Sequence, residues 1–281
     1  MMNSMWTIAT PFANKPEIIP LWLANFDALQ FPRKDFHVVW VDISGNQKIN
    51  KMLARYAELH QAEFASFQLI TNPPKKFKIV TEFLLNPSDV YYAEKRQSVA
   101  ETMNIINGYR KGHMVMWEDD VIVPPDAFIR LKQIFDKSNL FAGVTGVQYQ
   151  RLEDNPTQIL AFRWRSVLLD NKMQYGAFRL KEEKTGVEAI GASSSGFILY
   201  RKEFLDTHRF SVNGVYGQDV MAGFRMNGYD RFPFGGQTKL MMCWDVKCPH
   251  LGLDAFGKVK AYKSAMCQTP VPQTSQYTYD S

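Results

Sequence analysis

Short apolar runs, each stopped by a turn residue or a carboxylate, alternate with stretches of helical period through the first half of the chain, and that alternation leaves few folds open. Met5 to Ala9 ends at Thr10-Pro11, Phe36 to Val41 ends at Asp42, and Phe67 to Ile70 forms a weaker third run. A helix is expected from Glu17 to Leu29. Ile49, Leu53, Tyr56 and His60 mark a second, introduced by the turn Ser44-Gly45-Asn46. Val99, Met103 and Ile106 define a third over Gln97 to Arg110, closed by Lys111-Gly112. Strand, helix, strand, helix implies a parallel sheet, because parallel neighbours need a crossover and a helix supplies it compactly.

His113 to Trp117 reads as a buried strand running into Glu118-Asp119-Asp120 and Val121-Ile122-Val123, after which Pro124-Pro125 opens a helix to Phe135. Beyond Leu140 the elements shorten. Strands are expected over Leu140 to Gln148, Ile159 to Trp164 and Gly196 to Tyr200, and a helix over Gln218 to Met226. Arg151 to Asn155 and Lys172 to Gly186 read as exposed loops, Lys75-Lys76-Phe77-Lys78 as a solvated basic loop, and Gln268 to Ser281 as a polar tail. No repeat or linker divides the chain, so one domain over 1–267 is expected.

Composition excludes several classes. With 46% apolar and 22% charged residues among 281, the chain can bury a core without disulfides, and it is neither disordered nor coiled coil. The N-terminal MMNSMWTIATPF has no basic and apolar leader pattern, and no uncharged apolar run nears the ~20 residues that span a bilayer. Cys243, Cys248 and Cys267 make no CxxC pair. Reduced thiols and a cytoplasmic location are therefore expected. The net charge of +5 suits phosphate-bearing ligands without requiring nucleic acid.

Three carboxylates at a strand end repel one another unless something positive is bound, and strand ends are where open α/β sheets take ligands. Alternate side chains of an extended segment share a face, which groups Glu118 with Asp120 and sets Asp119 opposite. Hard oxygen ligands at that spacing suit Mg²⁺ or Mn²⁺, although a solvated acidic turn has the same sequence. His250, in Cys248-Pro249-His250-Leu251-Gly252, could complete such a site or simply be packed. Asp219 sits in the first turn of its helix, where it either complements the dipole or serves as a general base. The small residues within Ala189 to Phe197 let backbone approach a bulky ligand. Lys95 and Arg96, upstream of Asn104, would suit a diphosphate.

In their order, four signatures resemble GT-A fold glycosyltransferases of the family 2-like and Anp1-like groups. They are a strand ending Ala9-Thr10-Pro11, a second ending at Asp42, VMWEDDVIVPP as a DxD-type motif, and SSGFILYRKEFL followed by GVYGQDVMAGFRMNGY. The resemblance covers roughly residues 5 to 252. It implies a Rossmann-like mixed α/β sheet with a nucleotide-sugar half (about 1–125) and an acceptor half (about 126–267). It further implies that Thr10, Pro11 and Asp42 hold the nucleoside of a UDP- or GDP-sugar, that Arg96 and Asn104 lie near the diphosphate, and that Glu118 and Asp119 serve the nucleotide sugar. Asp120 and His250 would bind Mn²⁺ or Mg²⁺, Ser194, Ser195 and Gly196 would border the sugar, and Asp219 would match the catalytic carboxylate of the xED motif. Two positions depart from the pattern: Glu118 opens the DxD, and Gln218 precedes Asp219 where many relatives have Glu.

Inverting transfer to an acceptor hydroxyl follows if Asp219 is the base; otherwise a retaining route stays open. The acceptor is not specified: saccharide, lipid-linked glycan, protein, small molecule or modified DNA base all fit. A nucleotidyltransferase would share the sheet and the ion, but Ala9-Thr10-Pro11-Phe12 is not a glycine-rich phosphate loop. A non-catalytic carbohydrate- or nucleic-acid-binding relative would use Trp164, Tyr175 and Phe178 beside Arg163, Arg165 and Arg179.

Overall fold

The structure is a computed structural model, and it describes residues 5–71, 73, 87–149, 158–169, 172–212, 217–228, 238–254, 257–263 and 267–271. The first half runs β1 (Trp6–Phe12), α1 (Ile19–Ala28), β2 (Phe36–Asp42), α2 (Gln47–His60), β3 (Ser66–Thr71), α3 (Pro87–Tyr109), β4 (His113–Trp117) and α4 (Ala127–Phe135). It continues through β5 (Phe141–Gln148), β6 (Ala161–Leu169), β7 (Lys172–Arg179), β8 (Val187–Ile190), β9 (Ala192–Ser193), β10 (Phe197–Tyr200), α5 (Lys202–Thr207), α6 (Gln218–Met226), β11 (Lys239–Cys248), β12 (His250–Leu253) and β13 (Val259–Tyr262).

An eight-stranded mixed sheet in the order β3-β2-β1-β4-β10-β5-β11-β8 takes strands from both ends of the sequence. The pairs among β3, β2, β1 and β4 are parallel, as the alternation of runs and helices requires, whereas β10 lies antiparallel between β4 and β5. Helices cover both faces, so the central strands are buried at nearly every position and largely apolar. On one face Trp40 and Trp117 pack with Trp22 and Phe26 of α1, Leu53 and Tyr56 of α2, and Leu131 of α4. On the other, Val39, Val41, Met114 and Met116 pack with Met103 and Ile106 of α3 and Ala222 and Met226 of α6. β4 is thereby fixed in the middle of the sheet, between β1 and β10, and its C-terminal end is held from two sides.

Two expectations are corrected. Lys172 to Arg179 is not a loop but β7, a strand paired antiparallel with β6 from Leu169–Lys172 to Phe162–Arg179. Its sequence, KMQYGAFR, mixes charge and glycine with apolar residues and so lacks the continuous apolar run that marks a buried strand. The third helix starts at Pro87 rather than Gln97, and proline at the first position is its start signal. The basic stretch from Lys75 to Lys78 and the loop from Arg151 to Asn155 lie outside the described residues. So do residues 272–281 of the tail. Before them, Thr269 is buried and its hydroxyl donates to the Lys247 carbonyl at 2.7 Å. The three cysteines are free and buried, and among the described residues no helix is long and apolar enough to cross a membrane.

Candidate active site

The site forms where β4 stops. The Glu118 amide donates to the Gly196 carbonyl at 2.9 Å, and the chain then turns, with the Val121 amide donating back to the Glu118 carbonyl at 3.2 Å. The Trp117 indole, anchored in the core, donates to the Val121 carbonyl at 2.7 Å and fixes this turn. From the other side Leu251 donates to the Asp120 carbonyl at 2.6 Å and Ile122 to the Pro249 carbonyl at 3.0 Å. A backbone bridge between residues far apart in sequence thus carries His250, the first residue of β12, to the acidic turn.

Glu118, Asp120 and His250 converge there, with one ligand atom from each lying within 4.8 Å of the others. The His250 ring is buried, and its Nδ1 contacts the Tyr149 carbonyl. A carbonyl only accepts, so Nδ1 carries the proton, and Nε2 is the nitrogen turned toward Glu118 Oε2, 3.8 Å away. A nitrogen lone pair facing two carboxylates is repelled unless a proton or a cation stands between them. Two carboxylates and one imidazole oriented through its second nitrogen form a donor set that fits Mn²⁺ or Mg²⁺.

Asp119, in the turn rather than in an extended segment, is held by other partners. The Ala13 amide donates to its Oδ2 at 2.7 Å and the Lys15 ammonium to its Oδ1 at 2.7 Å, while the same ammonium reaches Asp120 Oδ2 at 2.8 Å. Burial and the charge of Asp120 hold the Asp119 carboxyl above its ordinary pKa against the pull of Lys15. Burial pushes Glu118 up as well, but its contacts with His250 and the Ser195 hydroxyl, 2.7 Å from Oε1, hold it below the usual value. A Cβ at Gly196 would come within 2.6 Å of Gln148 Oε1 and 2.8 Å of Val121 Cγ2, so any larger residue there has to displace those side chains.

Asp219 sits at the start of α6 behind Gly217, and its Oδ1 accepts from the Val220 amide at 2.8 Å. Burial, reinforced by the charge of Glu118, pushes its pKa up to about 6. Tyr200 of β10 is buried, and its phenol is pushed up by burial and by the charges of both Asp219 and Glu118, so the three groups share one electrostatic field. Arg96 is exposed on α3 and lies against Gly217, where its charge partly offsets that shift.

Thr10, at the end of β1, is buried, and among the described residues its hydroxyl has no hydrogen-bond partner; Pro11 beside it is partly buried. Asp42 is used in the turn into α2: Oδ1 accepts from the Ser44 amide at 2.9 Å and hydroxyl at 2.6 Å, and Oδ2 from Asn50 at 3.3 Å. The Asn104 amide is spent at both ends on the backbone of Phe210, at 2.8 Å each. Glu118, Asp119, Asp120, Ser195, Gly196, His250 and Asp219 are therefore brought together, whereas Asp42 and Asn104 brace local structure. Sequence reasoning missed Lys15, the Tyr149 carbonyl and Tyr200. A lysine just past the first strand was the only signal for the first, and a backbone carbonyl leaves none.

The architecture has counterparts among solved structures. One is the mannosyltransferase PcManGT from Pyrobaculum calidifontis, in complex with GDP-Man and Mn²⁺, with a TM-score of 0.56 and 15% identity over 87% of this chain and 56% of that one. Another is GalNAc-T7 with UDP, GalNAc and Mn²⁺, with a TM-score of 0.56 and 12% identity over 88% of this chain and 43% of that one. These neighbours are GT-A-type glycosyltransferases, and the fold of this chain is the GT-A type. The chain spans about half the length of these two proteins. No protein-family model matches the sequence, and no curated protein matches it.

Proposed function

We propose that this chain is a metal-dependent glycosyltransferase, nearest the family 2-like and Anp1-like groups, that moves a hexose from a UDP- or GDP-sugar to an acceptor hydroxyl with inversion. The observation that carries this reading is the convergence of Glu118, Asp120 and His250 at the end of β4, with His250 oriented through Nε2. The neighbours with GDP-Man or UDP and Mn²⁺ support it at the level of fold. Mn²⁺ or Mg²⁺ held by Asp120 and His250 beside Glu118 would supply positive charge against the leaving diphosphate.

The chain's own groups supply the rest. Asp219 takes the proton of the acceptor hydroxyl; with a pKa of about 6 it is ionised at neutral pH yet more basic than an ordinary carboxylate. Attack from its side, opposite the departing nucleotide, inverts the anomeric centre. The Ser195 hydroxyl fixes Glu118, Gly196 borders the sugar, and the buried Thr10 hydroxyl, with Pro11 and Asp42, borders the nucleoside. Arg96 faces the diphosphate, residues 1–125 serve the donor, and residues 126–267 serve the acceptor.

The test is nucleotide release from a panel of UDP- and GDP-sugars with Mn²⁺, with and without chelator. Wild type is expected to turn over one donor, and Asp120→Asn and His250→Ala to lose about 100-fold or more. Turnover unchanged by chelation, or tight donor binding with no turnover under any acceptor, would overturn the reading, the second outcome in favour of a binding module.

A further inference from the structure

The loop after β1 is docked onto the acidic turn by the Ala13 amide and the Lys15 ammonium, and the ammonium bridges Asp119 Oδ1 at 2.7 Å and Asp120 Oδ2 at 2.8 Å. The two carboxylates are 3% and 1% exposed, whereas the lysine side chain is 25% exposed. Of these three groups, Lys15 is the one an incoming ligand can touch.

Charge balance gives that contact a purpose. Among the described residues of the cluster, three carboxylates, one ammonium and an imidazole carrying its proton on Nδ1 sum to two negative charges, which a single dication neutralises. Without Lys15 the metal-loaded cluster would still be negative when an anionic diphosphate arrived. An ammonium is a compact point charge on a flexible stem, able to exchange a carboxylate oxygen for a phosphate oxygen at little cost in geometry. It also stands beside Asp120, where it repels a dication that the same carboxylate binds.

We propose that Lys15 is a donor-binding residue that contacts the diphosphate of the nucleotide sugar and, from the same position, tempers the affinity of the Glu118–Asp120–His250 site for its dication. This rests on the reading of the site as metal- and nucleotide-sugar-dependent. It requires that loss of the ammonium move two affinities in opposite directions, which damage to the loop cannot do.

The experiment measures Mn²⁺ binding alone, by the electron paramagnetic resonance signal of the free ion, and UDP or GDP binding at saturating Mn²⁺, by calorimetry. Lys15→Met is expected to bind Mn²⁺ about 3- to 10-fold more tightly and nucleoside diphosphate about 10-fold or more weakly. Lys15→Arg keeps the charge and is expected to hold Mn²⁺ as wild type does. If Lys15→Met leaves both affinities unchanged, or weakens both with a lower melting temperature, Lys15 only packs the loop and the proposal fails. Should Lys15→Met not fold, loss of Mn²⁺ binding in Lys15→Arg overturns it instead. Wild type that binds no Mn²⁺, or an Asp120→Asn variant that binds it unimpaired, overturns the underlying metal reading; normal Mn²⁺ binding with no response to Lys15→Met overturns the lysine alone.

Discussion

A carboxyl with a pKa of about 6 changes its charge within the range where activity is measured, and Asp219 is placed to make that visible. A general base must be deprotonated, so kcat/KM is expected to rise with pH along a one-proton limb. Burial and Glu118 raise the carboxyl, whereas a dication beside Glu118 pulls it back, so the limb should lie at or below 6 when Mn²⁺ is bound. Asp219→Asn should lose both the limb and about 100-fold or more in rate. A limb above 7, or one that survives in the variant, would remove Asp219 from the role of base. At this scale the site was legible where chemistry is written in side-chain types: the acidic triplet at a strand end stands out in any reading. His250 did not stand out by itself, because a backbone bridge of Val121 with His250 brings it in from residues far along the chain. Lys15 was illegible for a related reason. Its meaning lies in a loop docked by the Ala13 amide, a contact that any residue at position 13 except proline could make.

The elements fix where those side chains land, and the turn from α3 into β4 is the most exacting of them. Gly112 has φ +75°, and a Cβ there would lie 1.8 Å from the Met5 carbonyl oxygen, so Gly112→Ala meets both a left-handed backbone and a backbone clash. The same turn starts β4 opposite Trp6 of β1, and slipping that register by one residue would turn the buried side chains of β4 to the other face and shift the acidic turn that follows it. Gly112→Ala is expected to cost about 3 kcal/mol or more. Gly108→Ala, inside α3 where a Cβ meets nothing within 4 Å, is expected to add about 0.5–1 kcal/mol. Urea denaturation of the pair checks the contrast, and two variants of equal stability would contradict it. Elements buried on both faces were readable to within a few residues, because β2 and β4 are apolar at nearly every position. β7, in a separate three-stranded sheet with β6 and β9, carries no such run, and pairing partners of that kind are set by tertiary context rather than local pattern.

Over the whole molecule, acid acts through buried histidines. His37, His113 and His208 all have lowered pKa values, chiefly because burial disfavours the charged ring, with Lys111, Arg201 and Arg225 adding repulsion in turn. His208 falls furthest, to about 3; it stacks on Phe204, meets Phe210 edge-on and lies 3.5 Å from an Arg225 nitrogen. His113 Nδ1 accepts from the Lys202 amide at 2.9 Å, a bond that protonation of that nitrogen would break. The unfolded chain protonates these rings near 6.5 and the fold does not, so stability is complete above that pH and falls as pH drops. Each pH unit within a ring's window costs about 1.4 kcal/mol. Asp219 works in the opposite sense. Raised from 3.8 to about 6, it keeps a proton that the unfolded chain has released, so it favours the fold on acidification through that range. Asp119, also raised by burial, acts in the same sense as Asp219, but three rings outweigh the two carboxyls, and the urea midpoint is expected to decline from pH 7 to pH 5. His208→Phe keeps the stacking and removes the largest titration, so its decline should be shallower, and a parallel decline in the two proteins would show that protonation of His208 is not what opens the fold.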